Sequence, residues 1–309
     1  MHAERPAKAA IRALWVEVVR RRKAELPQSV PFYLTLPGAA GLDLKLLIEE
    51  GLIAVTESGA IAEADNMRVI AVEKDSMAVL DLQINFLGLK IIENDFYNGL
   101  HGFSQIAFPS GKDRATFTAG VINLDLNDPI VYKNGLFPVV EAVVKIASLQ
   151  AAATPRHDWT LLLTAQGEIP WPQEVQEEAQ RFLDEQCRLC PEFDTGCKRL
   201  FGDPLYGQVR DEEPFEMASC RTIEQQLLLM AFIPAKLAGR VYNTGWRVDT
   251  VRILRYGGEL GAAPMATWIL DFCWDHRASS TPNEVLMTAL RRALDRVGYV
   301  TAEGDLVDV

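Results

Sequence analysis

The chain lacks the sequence patterns on which most hydrolases and phosphotransferases depend. It contains no Gly-x-Ser-x-Gly, no His-Glu-x-x-His and no Gly-x-x-x-x-Gly-Lys-Ser/Thr segment. Those absences remove the strained nucleophile turn, the helical zinc pair and the phosphate-cradling loop. Histidine is scarce: of four, His2 is terminal and the other three stand in segments without periodic pattern. No run approaches the ~20 apolar residues that a membrane-spanning helix needs. The opening Met1-His-Ala-Glu-Arg-Pro6 lacks the charged-then-apolar layout of a secretory leader, so the expected compartment is cytoplasmic.

Positive charge is also in deficit. Lys and Arg number 31 against 42 Asp and Glu, a net charge of −11, which excludes a surface that grips nucleic acid over its whole extent. It leaves room for a local patch, and Arg20-Arg21-Arg22-Lys23 is the candidate, at the end of a helix that also carries Lys8 and Arg12. Cations at a helix C-terminus are equally favoured by the helix dipole. Cysteine is sparse and odd in number, at positions 187, 190, 197, 220 and 273. That count does not make a disulfide framework, and the spacing of the first four matches no zinc module, so no metal is expected.

What the chain does have is a succession of apolar runs with polar or glycine-rich tips. Phe32 to Leu36 runs into the turn Thr35-Leu-Pro-Gly-Ala-Ala-Gly41, and a helix follows from Leu42 to about Glu50. Val69 to Glu73 ends in an acid, and so does the run from Leu89 to Asp95. Ala119 to Leu126 ends in Asn123-Leu-Asp-Leu-Asn-Asp-Pro129. Alternation places Asn123 and Asp125 on one side of the pleat, with Leu124 and Leu126 on the other. Trp159 to Thr164 reads as a fifth strand. The segment 171–245 turns helical and acidic and is punctuated by proline, which reads as an insertion. Val248 to Tyr256 and Ala266 to Cys273 read as an antiparallel hairpin, and Pro282 to Val297 as a last helix stopped by Gly298. The expected fold is α/β: one domain over 1–309, with a doubly wound, mostly parallel sheet, a C-terminal antiparallel hairpin and a helical insertion.

At the carboxyl edge of such a sheet, glycines let backbone approach a ligand, and the following helix aims free N–H groups at it. Glu73 is placed to accept both hydroxyls of a ribose, and Asp95 to touch a base edge. This order, closed by a C-terminal hairpin, resembles the class I S-adenosylmethionine-dependent methyltransferases. The resemblance covers residues 31 to about 130 and the hairpin. It implies cofactor contacts at Pro37, Gly38, Gly41, Glu73 and Asp95, and acceptor handling by Asn123 and Asp125. The first turn departs from the family's pattern by having two glycines and no acid. The fourth tip departs by reading Asn-Asp-Pro-Ile where amino-methylating members carry Asn/Asp-Pro-Pro-aromatic.

The function implied is methyl transfer from S-adenosylmethionine, with the acceptor open and nucleic acid suggested by Arg20, Arg21, Arg22 and Lys23. One alternative is a non-catalytic methyltransferase-like protein kept for interaction or assembly. The other is a nicotinamide-dependent oxidoreductase, against which the hairpin and the missing Gly-x-Gly-x-x-Gly count.

Overall fold

The computed structural model describes residues 6–96, 119–210, 215–257, 264–274 and 296–308. Residues 97–118, between the third and fourth apolar runs, and most of the helix read over Pro282 to Val297 lie outside the described residues.

Five apolar runs become parallel strands because helices cover both their faces. They are β1 (Tyr33–Thr35), β2 (Val69–Glu73), β3 (Lys90–Glu93), β4 (Val121–Pro129) and β5 (Trp159–Gln166). The hairpin forms as read: β6 (Trp246–Gly257) and β7 (Pro264–Trp274) are antiparallel, and β7 also pairs antiparallel with β5. Two short strands were not read from the sequence, β8 (Val297–Val300), parallel to β6, and β9 (Leu306–Asp308), antiparallel to β8. The sheet order is β3-β2-β1-β4-β5-β7-β6-β8-β9.

One face is covered by α1 (Pro6–Glu25), α2 (Leu42–Glu49) and α4 (Ser76–Asn85), with the short α3 (Glu63–Asn66) leading into β2. Ile11, Trp15 and Val19 of α1 recur at helical spacing and meet Tyr33, Val121 and Leu162 of the strands. The opposite core joins Leu34, Ile122, Leu124 and Leu161 to Val139, Val143 and Ile146 of α5 (Pro138–Ala151). Each such side chain, taken from water, contributes ~1.5–3 kcal/mol.

Among the described residues, four α-helices separate β5 from β6: α6 (Gln173–Leu189), α7 (Pro191–Val209), α8 (Ile223–Met230) and α9 (Phe232–Val241). α7 breaks at Gly202, where φ is 71°, just ahead of Pro204. α8 opens on a reciprocal capping box between Thr222 and Gln225. Phe232, Ile233 and Leu237 of α9 enter the second core. Trp159, at the start of β5, stacks on Phe272 of β7 with ring centroids 3.9 Å apart.

One local reading is corrected, at Gly298. Val297 and Gly298 lie in strand β8, so Gly298 is no helix stop. A Cβ there would approach the Val307 carbonyl oxygen to 2.6 Å, so glycine serves close strand packing. Between α2 and α3, Val55 forms an isolated bridge to Ile61.

Cys187, Cys190, Cys197 and Cys220 are all buried, packed in the core among α6 to α8. Burial pushes the Cys220 thiol up to about 11 from its ordinary 9.0. Its folded value exceeds its unfolded one, so its contribution to stability is full below about pH 9 and lost as pH rises through about 11. Urea unfolding across that window should therefore show the wild type losing stability more steeply than Cys220→Ala. Equal slopes would contradict the burial argument.

Candidate functional site

The crevice is set by topology. From β1 the chain proceeds to β2 and β3 on one side, then returns to place β4 and β5 on the other. In an open sheet of this kind, ligands bind outside the carboxyl ends of the two strands flanking that reversal, here β1 and β4.

The turn after β1 occupies that position. The Leu36 amide donates to the Asn123 carbonyl at 3.2 Å, and the Gly41 amide closes onto the Gly38 carbonyl at 3.2 Å. Gly38 and Gly41 both have positive φ, 57° and 52°. Pro37 is half-buried between them and β1. Gly41 is the N-cap of α2 and offers no side chain to its first N–H groups, which therefore remain available at the sheet edge.

Space as well as conformation fixes Gly41. A Cβ would lie 2.4 Å from the ring of buried Phe86, whereas one at Gly38 would meet nothing within 4 Å. The left-handed backbone costs an L-residue ~1–2 kcal/mol, and overpacking adds ~1–3 kcal/mol. Gly41→Ala should thus destabilise by roughly 2–5 kcal/mol and Gly38→Ala by only ~1–2. Denaturant midpoints that fall equally would contradict this.

Beneath the turn lies a buried polar network. The Tyr33 hydroxyl donates to Asp43 Oδ2 at 2.8 Å and the Thr35 hydroxyl to the same oxygen at 2.5 Å. Asn123 Nδ2 donates to the Tyr33 oxygen at 2.8 Å and to Asp43 Oδ2 at 3.3 Å. Burial, then the Asp43 charge, hold the Tyr33 phenol well above its ordinary range, so it stays a donor. Two acceptors in this network, Asp43 Oδ1 and Asn123 Oδ1, are buried with no hydrogen-bond partner. Such atoms are costly unless a donor reaches them.

Asp43, in the first turn of α2, and Tyr33 and Thr35, inside β1, stand beyond the site residues read from the sequence. The turn has no acid of its own, but α2 returns one over the end of β1. The available signal was period two: Tyr33 and Thr35 face the same side as Asn123, their register partner being β4.

The remaining predicted residues are distributed along the same edge. Asn123 and Asp125 do share a face, yet Asn123 is taken up by the network while Asp125 meets α1. Lys8 Nζ stands 2.9 Å and 2.7 Å from the two Asp125 oxygens. Glu73 Oε1 accepts the Lys74 and Asp75 amides at 2.8 and 3.0 Å, which fixes the carboxylate at the tip of β2. Asp95 lies past β3, 3.8 Å from Lys74 Nζ. Asp75 caps α4 through the Met77 and Ala78 amides.

The basic stretch is engaged within the chain. Arg20 pairs with Glu17 and Glu50, Arg21 with Asp271, and buried Arg22 with Asp271, Glu25 and Thr160. Lys23 reaches Asp65 and the Leu52 carbonyl. Among the described residues no cluster of three or more His, Cys, Asp or Glu side chains could hold a metal ion. No helix among them is long and apolar enough to cross a membrane.

No protein-family model and no curated protein sequence matches this chain. Among solved structures, the chain is similar to a SAM-dependent methyltransferase from Archaeoglobus fulgidus, with a TM-score of 0.34 and 11% identity over 85% of this chain and 94% of that one.

Proposed function

We propose that this chain binds S-adenosylmethionine at the carboxyl ends of β1 and β4 and transfers its methyl group to an acceptor. The observation that carries this reading is the meeting, at the reversal of strand order, of the Gly38–Gly41 turn with two buried, unfilled acceptors. Asp43 Oδ1 and Asn123 Oδ1 ask for a donor, and an ammonium such as that of the cofactor's amino-acid end supplies one. The open N–H groups of α2 suit a carboxylate. Glu73, oriented by two amides, keeps acceptor capacity for ribose hydroxyls. The antiparallel β7 between β5 and β6 separates this sheet from the all-parallel order of nicotinamide-binding folds.

When bound, S-adenosylmethionine brings an already activated methyl group, so the protein need supply neither metal nor covalent nucleophile. Its residues orient the two reactants and receive a proton from the acceptor. Asp125, two residues past the Asn123 that pairs with the last residue of β1, is the carboxylate assigned to that task. Nucleic acid as the acceptor would have to draw Arg20 to Lys23 out of their ion pairs, so a small acceptor fits this edge better.

A second reading has one observation in its favour: Lys8 already covers Asp125, as suits a scaffold that has stopped catalysing. Cofactor binding without turnover would select it. The residue test is Glu73→Ala, which should weaken S-adenosylhomocysteine by roughly 1.5–3 kcal/mol, the worth of a hydrogen bond to a charged group. Undiminished affinity would remove Glu73 from the site.

A further inference from the structure

On the face covered by α1, a second set of polar side chains reaches the same edge. Asp125 of β4 lies directly opposite Thr164 of β5, whose hydroxyl contacts that of Thr267 on β7 at 3.1 Å. Tyr256, near the end of β6, lies beside Thr164, with Asp125 and the Arg12 guanidinium of α1 as its charged neighbours. Tyr256 is only 5% exposed; the Thr164 hydroxyl approaches its oxygen, but its buried O–H meets no acceptor in hydrogen-bond geometry. A phenylalanine would fill this space equally well, and an unpaired buried hydroxyl costs ~1–3 kcal/mol. Its partner is therefore expected to arrive with a ligand.

We propose that Tyr256 binds the acceptor of the methyl-transfer site, donating a hydrogen bond to an anionic oxygen group, a carboxylate or a phosphate, on that acceptor. This rests on the methyltransferase reading. Position supports it: Asp125 stands between the cofactor turn on β1 and Tyr256 on β6, so an acceptor reacting beside Asp125 extends toward the phenol. Charge supports it too, since Lys8 neutralises Asp125 and buried Arg12 adds a cation to the neighbourhood. Burial, then Asp125, hold the phenol well above its ordinary range, so at neutral pH it is a donor.

The test is thermal melting of wild type and Tyr256→Phe in chloride, acetate and phosphate at matched ionic strength, with and without S-adenosylhomocysteine. In chloride the variant should melt no lower than wild type, since the phenol O–H gives up no acceptor in hydrogen-bond geometry. Acetate or phosphate should raise the wild-type melting temperature above that in chloride, and the arm that does so identifies the group. The apparent affinity for that anion should weaken roughly tenfold or more in Tyr256→Phe. A variant that melts lower in chloride, or keeps the anion gain, overturns the proposal, as does a wild type with no gain in either anion. Wild type that binds S-adenosylhomocysteine without an anion gain sinks this proposal alone. An anion gain without S-adenosylhomocysteine binding sinks the methyltransferase reading.

Discussion

Replacing Asp43 by alanine should cost the folded chain roughly 2–4 kcal/mol, a large share of a typical domain's stability. One oxygen of Asp43 receives the hydroxyls of Tyr33 and Thr35 and the amide of Asn123. Asn123 keeps a second acceptor in the Tyr33 oxygen, but the two hydroxyls are left without one. Each stranded donor costs ~1–3 kcal/mol, offset in part by no longer burying a carboxylate. Tyr33→Phe is the control, because it removes one donor and leaves Thr35 and Asn123 on Asp43. It should lose about 1 kcal/mol. Equilibrium unfolding in urea checks both, and an Asp43→Ala variant no weaker than Tyr33→Phe would show that the carboxylate does not anchor the turn.

The second large effect belongs to Asp125. Truncation to alanine should lower turnover by roughly 10²–10⁴, the usual worth of a positioned acid or base. S-adenosylhomocysteine affinity should stay within a few-fold, the signature of an interaction made mainly in the transition state. Stability should hardly change, because Lys8 is one-quarter exposed and can turn to water. Lys8→Met separates catalysis from simple ion pairing: it breaks the same contact but should lower turnover far less. Equal losses in the two variants would reduce Asp125 to a partner of Lys8. A readout that needs no acceptor uses sinefungin, whose amine replaces the methylsulfonium. Asp125→Ala should weaken sinefungin relative to S-adenosylhomocysteine by roughly 1.5–3 kcal/mol.

The sheet was largely legible because its strands are continuous apolar runs closed by glycine or acid. β1 to β5 and the β6–β7 hairpin appear close to where alternation and turn residues put them. Strands β8 and β9 were not legible, being three or four residues long and stabilised by pairing rather than by pattern. Gly298 was misread for the same reason: glycine after an apolar helical pattern signals a stop, while here it admits the Val307 carbonyl.

The site was legible as a line of tips but not as a network. Tyr33 and Thr35 hide inside an apolar run, and nothing local says that α2 folds Asp43 back onto them. Lys8 and Asp125 meet across 117 positions, beyond any local pattern. The basic run shows the limit most plainly. Sequence displays four adjacent cations, whereas Glu50, Asp65 and Asp271 come from three separate places in the chain to join Glu17, one turn back in the same helix.

Calorimetric titration of the wild-type protein with S-adenosylhomocysteine, with NAD as the competing ligand class, tests cofactor binding at the β1–β4 crevice most directly. A single saturable site per chain for the adenosyl ligand, with no heat from NAD, is the predicted result. No heat with S-adenosylhomocysteine, or saturable binding of NAD in its place, would contradict it.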